Sequence, residues 1–405
     1  MRIHAFSSLT PPAALADQVA AVPYDVVNAA EARALAADNP HSFLHVTRPD
    51  VDLPDGAGPA EQYARARDEL ARFVDAGSLV RSDRAAFYIY RQQLDGHAQS
   101  GLVACCHIED YEHATIKKHE HTRPDKEADR AEHIRVLNAQ TGPVFLAYRE
   151  TVAINELVAD AERGDPVFDF TAPDGVRHTG WSVPDPQGTV AAFGAVPAAY
   201  IADGHHRAAS AAKVGAERRG ANPAHAGDED YNWFLAVLFP SSRLKVLAYN
   251  RVVQDLNGHS ADELLSAAEI AFDIAVGVPP TPDQTGDIRM YLAGKWYGLR
   301  PRDVPADDPV AMLDVSILQD QLLAPLLGID DPRTSTRIEF VGGIRGVDAL
   351  VDRVDSGTAA VAFSMYPTTV DQLMAVADSG DVMPPKSTWF EPKLRSGLFV
   401  HTLGD

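Results

Sequence analysis

The chain has 405 residues, 45% of them hydrophobic and 23% charged, a mixture suited to a folded protein large enough to divide into more than one part. Its formal net charge of −21 argues against nucleic acid or an anionic membrane surface as the main partner. An anionic ligand must therefore be held by local cations and backbone N–H groups, because the global field opposes it. The two cysteines, Cys105 and Cys106, are adjacent in an apolar run. They cannot make an ordinary structural disulfide with each other, offer no CxxC spacing, and read as buried, inert thiols. The start, Met1-Arg2-Ile3-His4-Ala5-Phe6, lacks an apolar signal core, and no run is long enough to span a bilayer, so a cytoplasmic location is expected.

In chain order, Val22-Pro23-Tyr24-Asp25 reads as an extended turn, after which Asn28 is placed to cap a helix that stops at Asn39-Pro40. Residues 43–46 read as a strand and 49–59 as a surface loop. A helix is predicted over 59–76 with Tyr63, Leu70, Phe73 and Val74 on its inner side and Gly77 as its stop. Residues 85–90 and 101–108 form a hairpin about Asp95-Gly96. Residues 144–148 read as a strand, 152–163 as a helix, and 180–183 with 189–193 as a second hairpin. Further strands are expected at 233–239 and 244–249. From about 255 the pattern is that of a second α+β lobe. It has a helix at 260–271, a hairpin about Ala293-Gly294, an apolar helix over 315–327 broken by Pro325, strands at 338–341 and 359–363, and a short helix at 370–377. The divisions that result are 1–80, 81–254 and 255–405, with a mixed sheet and packed helices, an α+β fold.

Two polar segments stand out. Tyr200-Ile201-Ala202-Asp203-Gly204-His205-His206-Arg207 reads as a strand, a tight turn at Gly204 and a helix that starts at once, with Asp203 as its N-cap. Free N–H groups, the positive end of the helix dipole and the Arg207 fork make an anion site, phosphate above all. The second segment is Lys117-Lys118-His119-Glu120-His121-Thr122-Arg123-Pro124-Asp125-Lys126-Glu127. If 117–121 are extended, His119 and His121 share one face and Glu120 takes the other. Thr122 then caps a helix to about Asn138, with Arg123 and Lys126 near a helix start whose dipole does not favour them unless they face an anion.

There is no GxxxxGK[ST] and no kinase glycine-rich loop, and His119-Glu120-His121 lacks the HExxH spacing of a zincin. A metal site from His119, His121, His205 and His206 fits by composition, though nothing in the sequence brings them together. The chemistry that fits best is phosphoryl transfer: Gly204, His205, His206 and Arg207 bind phosphate with Arg123 and Lys126 in support, Asp203 holds Mg2+, and Glu120 takes the proton.

These two segments, together with Pro23-Tyr24-Asp25-Val26, Lys386-Ser387-Thr388-Trp389-Phe390-Glu391-Pro392-Lys393 and Ser396-Gly397-Leu398, resemble the domain-of-unknown-function family ten-fifteen over nearly the whole chain. The core motif is also similar to that of the ParB/sulfiredoxin superfamily, which implies a nucleotide-binding core at 81–254. Free-serine kinases of that superfamily carry Asp-Gly-His-His-Arg as it stands at 203–207, with an upstream catalytic glutamate that Glu120 matches. Sulfiredoxins need a cysteine where this chain has His205, and ParB clamps carry basic DNA-binding surfaces. The resemblance implies ATP or ADP as phosphoryl donor and free L-serine as acceptor, with Glu120, Asp203 and His206 in catalysis. His119, His121, Thr122, Lys386, Ser387 and Thr388 are candidates to contact the acceptor, and the tail is a candidate to close the site. A nucleotide hydrolase on the same site and a non-catalytic nucleotide-binding regulator are the alternatives, and a homo-oligomer is compatible with either.

Overall fold

The computed structural model describes residues 1–404. It divides into two units, the first holding Met1–Leu244 together with the stretch from Pro392 onward, the second holding Lys245–Glu391.

Nine strands of the first unit form one sheet: β1 (Ile3–His4), β2 (Tyr88–Leu94), β3 (His97–His107), β4 (Ile116–Lys117), β5 (Val144–Tyr148), β6 (Phe168–Thr171), β7 (Arg177–Ser182), β8 (Ala199–Asp203) and β9 (Trp233–Pro240). Neighbours follow the order β4-β8-β5-β9-β3-β2-β7-β6, with β1 beside β3. The β4–β8 and β5–β9 pairs are parallel and the rest antiparallel, so the sheet is mixed and the fold α+β, as expected. Strands β5 and β9 are continuous apolar runs because they are buried along nearly their whole length. Cys105 and Cys106 lie unpaired in buried β3, and burial pushes both thiols up, out of the range where a thiolate forms.

The helices at Ala29–Ala36, capped by Asn28 with Glu31 in a capping box, and at Pro59–Asp75 follow the sequence pattern. On the latter, Val74 is exposed rather than inward, and Glu69 is buried instead between Arg65 and Arg72, at 2.9 and 2.7 Å. Two of the elements expected in this unit take another form. Residues 43–46 are not a strand: Leu44–Thr47 is a helical turn, with Phe43 edge-on to Phe73. The hairpin expected from 180–183 and 189–193 is instead β7 followed by the helix Pro186–Gly194. There Asp185 accepts from the Gly188 N–H and Pro186 opens the first turn, so what reads as a loop is a cap.

The second unit is built on an antiparallel sheet of β10 (Tyr249–Val253), β11 (Phe272–Val276), β12 (Ile288–Leu292), β13 (Lys295–Pro301), β14 (Ile338–Gly342) and β15 (Val361–Ser364). Its order is β11-β13-β12-β15-β10-β14. The apolar helix expected to break at Pro325 leaves α geometry earlier, passing from Asp314–Leu318 into a wide π turn at Gln319–Leu323. Lys386, Ser387 and Thr388 belong to this unit: Ser387 donates to the Pro384 carbonyl at 2.6 Å and accepts from Thr368 Oγ1 at 2.9 Å, while Lys386 lies over the Tyr249 ring. Among the described residues no helix is long and apolar enough to cross a membrane.

Candidate functional site

Strand β8 is buried from Ala199 to Ala202 and ends at Asp203; the helix His205–Ala221 follows with only Gly204 between. Gly204 sits at φ +96°, in the left-handed region, and it, rather than Asp203, is the N-cap. It brings no side chain to the cap, and the first turn holds no acid. The N–H groups of that turn are therefore open to an outside acceptor.

Asp203 turns instead to two cations. Arg207 Nη2 donates to its Oδ2 at 2.7 Å and Lys393 Nζ to its Oδ1 at 3.4 Å. Burial alone would raise the Asp203 carboxyl, but Lys393 and Arg207 outweigh it and hold the group well below the usual carboxylate range. Arg207 Nη1 donates to the Pro143 carbonyl, and its Nε is buried without a partner. The guanidinium borders a cavity of about 40 Å³, shared with Tyr24, Arg130, His133, Gln140 and Ser396, which has room for ordered water but not for a nucleotide.

The parallel pairing of β4 with β8, Ile116 opposite Ala199 and Lys117 opposite Tyr200, delivers the second polar segment to this helix start. His119 is 2% exposed, hydrogen-bonded to the Ile201 carbonyl, and edge-on to His205 with ring centroids 4.5 Å apart. Glu120 is exposed, and one of its carboxylate oxygens lies within 4.8 Å of a ring nitrogen of His119 and of His205. The Arg123 N–H donates to His206 Nε2 at 3.0 Å. Residues 119–123 and 203–207 thus meet.

The details differ from the sequence reading. The strand stops at Lys117, so the alternation expected through 121 does not hold: Glu120 groups with His119, and His121 is exposed outside that group. Arg123, not Thr122, precedes the helix Pro124–Leu137, and Thr122 Oγ1 donates to Glu127 at 3.0 Å. The anion Arg123 faces is Asp125, at 2.9 Å; the first turn does carry acids, Asp125 and Glu127. Lys126 is exposed on that turn.

Burial lowers all three imidazoles, His119 to about 4, His205 well below its usual value with His119 adding to the effect, and His206 less far. Each is a neutral base at neutral pH. Lys393 was not among the residues the sequence singled out for the site, although it stands in the tail segment. Asp25, whose charge acts on His206 and Arg207, was also missed. The only sequence signal for either is its place in the segments that carry the family resemblance.

A mixed α+β unit with a polar, glycine-capped helix start beside an exposed carboxylate is the class that fold and site define. The chain belongs to the family described as "Protein of unknown function (DUF1015)", whose model matches residues 3–316. No curated protein matches it. Among solved structures it is similar to a mutant free serine kinase in complex with AMP, at 12% identity over 72% of this chain and 92% of that one, with a TM-score of 0.36. It is similar to a conserved hypothetical protein from Pyrococcus furiosus, at 14% over 73% and 93%, TM-score 0.36. It is also similar to a C-terminally truncated SbnI from Staphylococcus aureus, at 10% over 72% and 85%, TM-score 0.40. Likenesses this distant carry no argument about function.

Proposed function

We propose that this chain moves a phosphoryl group from a nucleotide, ATP or ADP, to the hydroxyl of a small molecule, with free L-serine as the favoured acceptor, on a ParB/sulfiredoxin-like core. The observation that carries this reading is the meeting of 119–123 with 203–207. It sets donors for phosphate oxygens beside a carboxylate that can accept a proton.

In this reading the first-turn N–H groups from His205 to Arg207 hold the phosphates, with Gly204 allowing close approach. His205 contributes its backbone, since its ring is buried. His206, Arg123 and Lys126 lie on the open side. Glu120 takes the hydroxyl proton as the acceptor oxygen bonds to the terminal phosphorus; the bridging P–O bond breaks and its electrons leave with the shortened nucleotide. Asp203 fits magnesium through water only, because both its oxygens already accept from Arg207 and Lys393. Bound with the nucleotide, that ion would offset phosphate charge. We assign the activity to the cytoplasm, in keeping with two unpaired thiols.

The test is to incubate the protein with ATP or ADP, magnesium and L-serine and follow phosphorus by NMR. O-phosphoserine is expected. Inorganic phosphate without it points to a hydrolase, and unchanged nucleotide overturns the reading. Glu120→Gln should reduce turnover about 10²–10⁴-fold while nucleotide still binds, since it removes only the proton acceptor. Turnover near that of the unaltered protein would remove Glu120 from this role.

A further inference from the structure

The cluster of His119, Glu120 and His205 has a feature that phosphate binding does not use. His119 is 2% exposed and His205 6%, and neither ring is fully satisfied: His119 Nδ1 and both nitrogens of His205 are buried without a hydrogen-bond partner. Leaving a buried ring nitrogen unpaired costs free energy, and three such atoms in one contact are unusual in a folded protein. The rings meet edge to plane, at 85°.

The His119 tautomer follows from its one bond. A carbonyl can only accept, so the nitrogen facing Ile201 carries the proton and Nδ1 presents a lone pair. A histidine whose far N–H is fixed by a backbone carbonyl while its near nitrogen is bare is the arrangement of a metal-ligating imidazole. Glu120 supplies an anionic oxygen from the solvent side, which gives an ion a way in.

We propose that His119, Glu120 and His205 bind a divalent first-row transition ion of the zinc, cobalt, manganese or iron(II) class. Two imidazoles and one carboxylate suit such ions better than magnesium, which prefers oxygen. Ligand atoms bound at about 2.0–2.2 Å stand roughly 3–4 Å apart, so the present spacing, within 4.8 Å, closes by small side-chain rotations. Three protein ligands leave positions for water or a ligand oxygen. The site goes beyond the phosphotransfer reading and stands without it. Where both hold, the ion and the acceptor proton compete for Glu120, and the ion slows turnover.

The test is a titration of the full chain, freed of metal, with Co2+ alone, read by its visible d–d absorption. One equivalent should bind and give the band. His119→Gln and His205→Gln should each lose it, while His113→Gln, an exposed histidine outside the cluster, keeps it. For a readout that does not depend on the folding of a buried variant, the unaltered protein is also titrated with Zn2+ and its histidine ring nitrogens followed by NMR. Shifts confined to His119 and His205 support the proposal. No uptake of either ion overturns it, as does uptake that moves other histidines or survives both substitutions. Phosphoserine formation is read separately, so the failure of one idea leaves the other measurable.

Discussion

Arg207 spans Asp203 and the Pro143 carbonyl, and its backbone begins the helix that Gly204 caps. A methyl group on Gly204 would stand 3.0 Å from Arg207 Nε and 3.1 Å from Cζ, and a guanidinium held on two sides cannot easily retreat. Gly204→Ala should therefore lower stability by about 1–2 kcal/mol from the left-handed backbone alone, and further by displacing Arg207. Denaturant unfolding measures the first effect; a nucleotide titration measures what the displacement does at the helix start. The sequence made Gly204 legible, because a glycine between a strand and a helix has few other uses. It misled over Asp203, because an N-cap preference is local, while the lysine that claims the carboxylate lies 190 positions away. Arg123 was misread for the opposite reason. Its partner, Asp125, is only two residues on and was left out of the electrostatic argument.

The helix His205–Ala221 buries a stripe of small residues, Ala208, Ala209, Ser210, Ala211, Ala212 and Gly215. That stripe lets the backbone lie close to its neighbours: Ser210 Oγ donates to the Glu127 carbonyl at 3.0 Å, and a side chain at Gly215 would run into the Tyr231 carbonyl oxygen and come within 2.7 Å of Ile108 Cδ1. Gly215→Ala sets two effects against each other. Helix propensity favours alanine by about 1 kcal/mol, and overpacking against a fixed carbonyl costs about 1–3 kcal/mol. The clash is with backbone, so net destabilisation is expected, visible as a lower denaturant midpoint with unchanged slope. Such close packing is open to this helix because residues 208–212 are all alanine or serine. The turn at Leu44–Thr47 did not announce itself, since a four-residue apolar run fits a strand or a buried helix equally well. The Pro186–Gly194 helix was hidden by Pro184-Asp185-Pro186-Gln187-Gly188, whose residues serve turns and helix caps alike.

At the scale of the molecule, two buried histidines outside the candidate site link stability to pH. His133 Nε2 donates to the Val46 carbonyl at 3.1 Å, and burial lowers the ring from 6.5 to about 4. His178 lies between Tyr90 and Arg395, at 2.7 and 3.2 Å, and burial with the Arg395 charge lowers it to about 3. Both stay neutral when folded, whereas the unfolded chain protonates them below 6.5. The unfolded state therefore binds more protons as pH falls from about 6.5 towards 4, and stability drops across that window. Each group contributes on the order of 3 kcal/mol, at about 1.4 kcal/mol per unit. Melting temperature against pH should fall through this range and fall less in His133→Gln. A flat profile would mean that these rings are not neutral in the folded state. Carboxylates such as Asp203, held low by cations, lose their contribution only at more acidic pH.

The first unit takes back the chain at Pro392, and this last segment does more than lie on it. Lys393 reaches Asp203, Arg395 donates to His178 and Asp174, Val400 exchanges backbone hydrogen bonds with Leu9 at 3.0 Å, and His401–Thr402 pairs with Ala139–Gln140. A nascent chain emerging from the ribosome can thus complete the whole of Lys245–Glu391 while the earlier unit still lacks a strand and the ammonium beside its key carboxylate. Translation order leaves the helix start at Asp203 without its Lys393 partner until after Lys245–Glu391 has been made.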